Sequence, residues 1–177
     1  MGYSNNYISV FKMKKLLLLL LIPIISYSQI SYNDIMSINS DKMFKKVMIE
    51  NGYEFGRTNK DVLVYGFEID RDSIGGMKSS KWGKYNVKDD GFVFSFSRTS
   101  VLGGFFGTED NSENPYDLIV KEIKKNCKYF DILTYTNEDD EEYDYVCYSC
   151  SESKYKGKIG FMISEGWGFI KHFVNIE

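Results

Sequence analysis

The side chains able to do chemistry are few. There are three cysteines, Cys127, Cys147 and Cys150, one histidine, His172, and 25 carboxylates set against 22 lysines and arginines. Cys147-x-x-Cys150 has the spacing of a redox or zinc motif, but a reactive pair of that kind sits at a helix start, and Tyr143 to Cys150 reads as a strand. Three residues apart on a strand, the two side chains point to opposite faces with Cα atoms about 10 Å apart, too far to bridge each other. Zinc would need further ligands, for which the chain offers one other cysteine and His172 alone, so no metal site is expected. A structural disulfide accounts for the cysteines better. If Thr136 faces Tyr143 across a hairpin, Cys150 falls opposite Tyr129 and on the face of Cys127, while Cys147 faces away. Cys127–Cys150 is therefore the expected bridge, and a slip of one residue would select Cys127 with Cys147 instead. The leftover thiol is expected to be buried; the alternative is that all three cysteines stay reduced.

The remaining motifs lose their chemistry on inspection. The acidic run Glu138 to Glu142 with Asp144 lacks the glycine that turns a calcium loop and reads as a solvated hairpin tip. Asp70-Arg71-Asp72-Ser73-Ile74-Gly75 begins like an EF-hand loop, yet Ile74 and Lys81 stand where ligands are needed. Gly103-Gly104-Phe105-Phe106-Gly107 lacks the Lys-Ser/Thr of a phosphate loop. Its phenylalanines either fold back on the core or stand exposed as an anchor for a partner. Ser151-x-x-Lys154 has the nucleophile spacing of penicillin-recognising enzymes without their other motifs. With His172 as the sole imidazole, expected on the surface of the terminal strand, no triad can be assembled. Paired carboxylates are available in many combinations, none distinguished. No cofactor is implied.

Positioning these residues is the work of alternating patterns. Asp34 is expected to cap a short turn through Ile38. Ser40 caps a helix over 41 to 51, with Met43, Phe44, Val47 and Met48 on one stripe and Gly52 ending it. Period-two patterning then marks strands at Tyr53 to Thr58, Val62 to Ile69, Lys81 to Val87 and Phe92 to Arg98, where Phe92, Phe94 and Phe96 share one face. Val101 to Asn114 reads as a glycine-rich acidic loop. Asn114-Pro115 opens a second helix whose stripe is Tyr116, Ile119, Val120, Ile123 and Cys127. Strands follow at Lys128 to Thr136, Tyr143 to Cys150, Lys158 to Ser164 and Trp167 to Val174, the last two joined by Glu165-Gly166. The expected fold is α+β, with two helices packed on one face of a mainly antiparallel sheet. It would form one domain over 29–177 from two helix-plus-meander halves, 34–98 and 114–176. Asn51-Gly52-Tyr53-Glu54-Phe55 and Asn126-Cys127-Lys128-Tyr129-Phe130 stand at matching junctions.

Over Asp34 to Ile69 the order of a short helix, a glycine-ended helix and a strand meander resembles that of the beta-lactamase inhibitor proteins and the small outer-membrane assembly lipoproteins. The resemblance implies an α+β layer. It carries no functional residue across, and the acylated cysteine of the lipoproteins is missing.

Met13 to Gln29, MKKLLLLLLIPIISYSQ, has the form of a secretory signal peptide, with lysines, an apolar run of about 11 residues too short to span a bilayer, and Ser26 and Ser28 before a cut at Gln29. Residues 1–28 are the expected leader, with Met13 the natural start or the n-region unusually long. Cleavage would delete Lys12, Lys14 and Lys15 and no acid, taking the formal charge from −3 to −6. That sign disfavours nucleic acid and anionic membranes as partners, and no membrane segment would remain. The expected product is a periplasmic or secreted, non-enzymatic binding or inhibitor-like module for another envelope or secreted protein. Its candidate contacts are Phe105, Phe106, Trp82, Tyr85 and Trp167, with core as the other reading of the tryptophans. The competing expectations are a secreted carboxylate-dependent hydrolase and a structural envelope protein.

Overall fold

A computed structural model describes residues 29–98, 114–137, 139–154 and 157–174. The leader, and Phe105 and Phe106, lie outside the described residues. Local capping sets the helices. The Ser31 hydroxyl accepts from the Asp34 amide at 3.2 Å while the Asp34 carboxylate accepts from the Ser31 amide at 2.9 Å, a reciprocal box that opens α1 (Tyr32–Ser37). Asp34 thus supports the cap from inside the helix and is not the cap, which corrects the expectation. Ser40 caps α2 (Asp41–Glu50). Beyond its end Gly52 takes φ +75°, the left-handed geometry that glycine adopts without strain.

After α2 come β1 (Tyr53–Asn59), β2 (Val62–Phe67), a small hairpin of β3 (Asp70–Arg71) and β4 (Met77–Lys78), then β5 (Lys81–Asn86) and β6 (Gly91–Ser97). Next are α3 (Pro115–Asn126), capped by Asn114, then β7 (Lys128–Thr136), β8 (Glu142–Ser149), β9 (Gly157–Ser164) and β10 (Trp167–Val174). The class is α+β, with a large antiparallel sheet in the order β1-β2-β5-β6-β10-β9-β8-β7. Each of α2 and α3 thus precedes a four-strand meander, and the last strands of the two meanders pair, Phe94 with Ile170 and Phe96 with Gly168. The β3–β4 hairpin was not anticipated. Two-residue strands are too short to show a period, and Asp72 builds their turn by accepting from the amides of Ile74 and Gly76.

All three described helices lie on one face of the sheet. Phe44, Val47 and Met48 of α2, Ile119 and Ile123 of α3, and Ile35 and Met36 of α1 join Phe92, Phe94, Phe96, Ile159 and Ile170 in one core. Close approach is made possible by glycine. A Cβ at Gly168 would lie 2.5 Å from the ring of Tyr116, and that ring is held where it is by its hydroxyl, which donates to the Met162 carbonyl at 3.0 Å.

Cys127 and Cys150 form a disulfide with Cα atoms 4.5 Å apart. The pairing is the expected one, but the register is not. Thr136 faces Glu142, not Tyr143, and a bulge between Tyr129 and Asp131 shifts the ladder so that Lys128 faces Ser149. Without that bulge the two cysteines would not meet at the end of the hairpin. Cys147 is buried and unbridged on the opposite face, where burial pushes its thiol up to about 11.

Gly168→Ala should lower the unfolding free energy by about 1–3 kcal/mol through overpacking against Tyr116, measured by urea denaturation. Native protein unfolded without reductant should take up one alkyl group by mass, and three after reduction. Cys127→Ala/Cys150→Ala, which opens a loop of sequence separation 23, should cost about 3 kcal/mol.

Candidate functional site

Strand alternation gives the sheet a second face that no described helix covers. Gly83 and Tyr85 of β5 point toward α2, with Gly83 under Met48 and Phe44 and the Tyr85 ring 5.2 Å from that of Phe44. Trp82 and Lys84 therefore point the other way. On β10, Ile170 belongs to the core under the helices and Phe173 to a separate cluster with Tyr145 and Cys147. Trp167, Phe169 and Lys171 share the parity of Phe173. Trp82 and Trp167, the chain's two tryptophans, thus stand on the same open face, both half-buried.

Register aligns this face in rows. One row runs Met162, Phe169, Ser95, Trp82, Gly66, and in the adjoining one Ser97 lies beside Trp167. The small side chains of Ser95 and Ser97 on β6 leave a shallow strip flanked by Trp82 on one side and by Phe169 and Trp167 on the other. Where β2 leads into the hairpin, Ile69 fills the space above Gly66 next to Trp82. At the tip of that hairpin Ile74 is 91% exposed.

A second row runs Lys171, Val93, Lys84, Val64, Arg57. The Lys171 ammonium lies 3.9 Å from the ring centre of Tyr135, and that of Lys158 lies 4.4 Å from Phe130. These ring faces carry negative potential and suit a cation. Burial among them lowers the Lys171 pKa, against an opposing pull from Asp89. Beneath, Tyr145 and Phe173 meet edge to face at 5.3 Å, and burial raises the Tyr145 phenol. Gly160 is what lets this cluster close, since a Cβ there would lie 2.7 Å from the Cys147 sulfur and 2.8 Å from the Phe173 ring.

Of the residues singled out from sequence, Trp82 and Trp167 are brought onto this face. Tyr85 is not: it is wholly buried, its hydroxyl donating to Asp90 at 2.9 Å, because its parity on β5 directs it beneath α2. His172 is likewise corrected from surface to interior. It is 2% exposed and stacked on Phe92 at 5.2 Å, because β10, last in sequence, is central in the sheet. Phe169, Lys171 and Lys84 were missed, although the alternation that placed Phe94 and Phe96 together could have found them once the covered face was known.

On the helix side a cleft of about 460 Å³ is lined by Gln29 to Asn33, α3 residues from Pro115 to Asn126, and Glu152. Its Glu122 accepts from Asn126 at 2.9 Å and neighbours Lys125 at 3.7 Å. Glu152 lies against Tyr32, whose phenol is raised by burial and then by that carboxylate. Both acids are thus engaged with adjacent side chains, and the Ser31 hydroxyl that also lines the cleft donates to Asp34 at 2.7 Å. Among the described residues no group of three His, Cys, Asp or Glu could hold a metal ion, and no helix is long and apolar enough to cross a membrane.

His172 makes a prediction about stability. Burial, then the charge of Lys171, pushes its pKa down to about 4, so the folded protein keeps it neutral while the unfolded chain protonates near the ordinary value. Its contribution is complete above about pH 6.5 and is lost as pH falls toward 4, at most about 3 kcal/mol. Urea midpoints across that range should fall more steeply for the parent than for His172→Phe.

No family model, curated protein or solved structure matches the chain.

Proposed function

We propose that this is a non-enzymatic binding module, exported by its leader, that meets a protein partner of the envelope or cell exterior with the open face of its sheet. The observation that carries this reading is the gathering of Trp82, Trp167 and Phe169, half-buried, on a sheet face that no described helix covers. Large aromatic rings held by their neighbours are the usual anchors of interfaces, since burying them costs little side-chain entropy.

The dimensions agree. Eight strands about 4.8 Å apart and about 20–25 Å long present very roughly 700–900 Å², close to the 800 Å² or so that each partner contributes to a standard interface. The edges, by contrast, are guarded against a further strand. Both β1 and β7 are bulged, Arg71 donates to the Phe55 carbonyl at 3.0 Å, and Asp131 takes the Ile132 amide at 2.8 Å.

Affinity capture of envelope and secreted proteins on the chain from Gln29 should return a defined partner. Trp82→Ala/Phe169→Ala, shown by denaturation to be folded, should lose it by tenfold or more. An unchanged captured set with the folded variant would remove the open face from the function.

A further inference from the structure

The open face carries charge of the opposite sign to the chain as a whole. With formal charge −3 over the full sequence, a random surface would be acidic. Yet the row that crosses the middle of this face holds Lys171, Lys84 and Arg57, each separated from the next by a strand whose side chain is Val93 or Val64. Lys158 stands in the neighbouring row opposite Phe173. Three carboxylates adjoin these cations: Glu54, opposite Gly66, Asp131, opposite Cys147, and Asp89 in the turn between β5 and β6, whose charge acts on Lys171. Each already accepts a hydrogen bond within the chain, Glu54 from the Ile69 amide at 3.2 Å, Asp131 from that of Ile132 and Asp89 from the Asn86 side chain at 2.7 Å.

From this arrangement we infer that the partner docked on the open face presents an acidic protein surface. The inference rests on the docking role proposed above and names the chemistry of the partner. Cations about 10 Å apart, two strands at a time, are spaced for carboxylates distributed over a folded surface. On docking they would be shielded from solvent, where opposite charges select the partner and speed its approach while like charges repel competitors. The same row disfavours a face-to-face pair of two copies of this chain, which would set lysine against lysine.

The chain holds its own reporter, because both tryptophans lie on this face, so intrinsic fluorescence reads occupancy there. The full mature chain is titrated in low salt with poly-L-glutamate of about 50 residues, poly-L-lysine, polygalacturonate and single-stranded dT20. Poly-L-glutamate should shift the tryptophan emission with an affinity that falls as salt rises and drops about tenfold in Arg57→Glu/Lys84→Glu, two exposed positions, while poly-L-lysine has no effect. No shift with poly-L-glutamate, or an equal response from the variant, overturns the acidic partner. Tighter binding of polygalacturonate or dT20 overturns it in favour of a glycan or a nucleic acid. If capture depends on Trp82 and Phe169 but not on Arg57 and Lys84, the docking face stands and only its acidic partner fails.

Discussion

Everything in this fold depends on the pairing of β6 with β10. The core is one cluster drawn from both meanders, and either meander alone would leave a hydrogen-bonding edge at its last strand. Joining those edges sets Phe94 against Ile170 and Phe96 against Gly168, the centre of the cluster that the three described helices share. It also fixes the rows of the opposite face, because one register sets both. A slip of one residue would turn Phe94 and Phe96 outward and bring Val93 and Ser95 inward, losing the core and the aromatic strip together. Three buried phenylalanines on one strand make such a slip very costly, at about 1.5–3 kcal/mol for each side chain exposed.

The two faces solve different problems. Under the helices the sheet is closed by large apolar side chains, with glycine wherever a helix comes near. On the open face the inner layer is small and local. Tyr145, Cys147 and Phe173 are buried there by Phe130, Leu133, Met162 and Phe169 around the gap left by Gly160. The Lys171 and Lys158 ammonium groups lie over the rings of Tyr135 and Phe130. This layer lets rings that are half exposed keep fixed positions, which is what distinguishes a docking surface from a patch prone to aggregation.

Much of the architecture was legible because its signals are local. Gly52, Asn114-Pro115 and Glu165-Gly166 act within a few residues, and Phe92-Val93-Phe94-Ser95-Phe96 declares its own period. What was not legible depends on contacts distant in sequence. Tyr85 and Trp82 belong to the same strand, and alternation separates them, yet nothing local says which of the two parities lies under α2. His172 appears terminal until β6 is placed beside β10. The disulfide was found through a register that was off by one, and only the bulge at Phe130, invisible in a run of mixed polar and aromatic residues, restores the pairing of Cys127 with Cys150.

The site itself was half visible for the same reason. Tryptophan is rare enough to be noticed singly, whereas Arg57, Lys84 and Lys171 are unremarkable in a chain with 22 basic residues. They become a row only when four separate ladders, β1 on β2, β2 on β5, β5 on β6 and β6 on β10, are all in register. Charge patterning on a sheet face is therefore a property of topology, and net charge is a poor guide to it. The acidic balance that disfavoured polyanions as partners of the whole chain does not describe the row of Lys171, Lys84 and Arg57. A partner of the kind proposed would meet the local field of the lysines first, since charges beyond about 8–10 Å are screened at physiological salt.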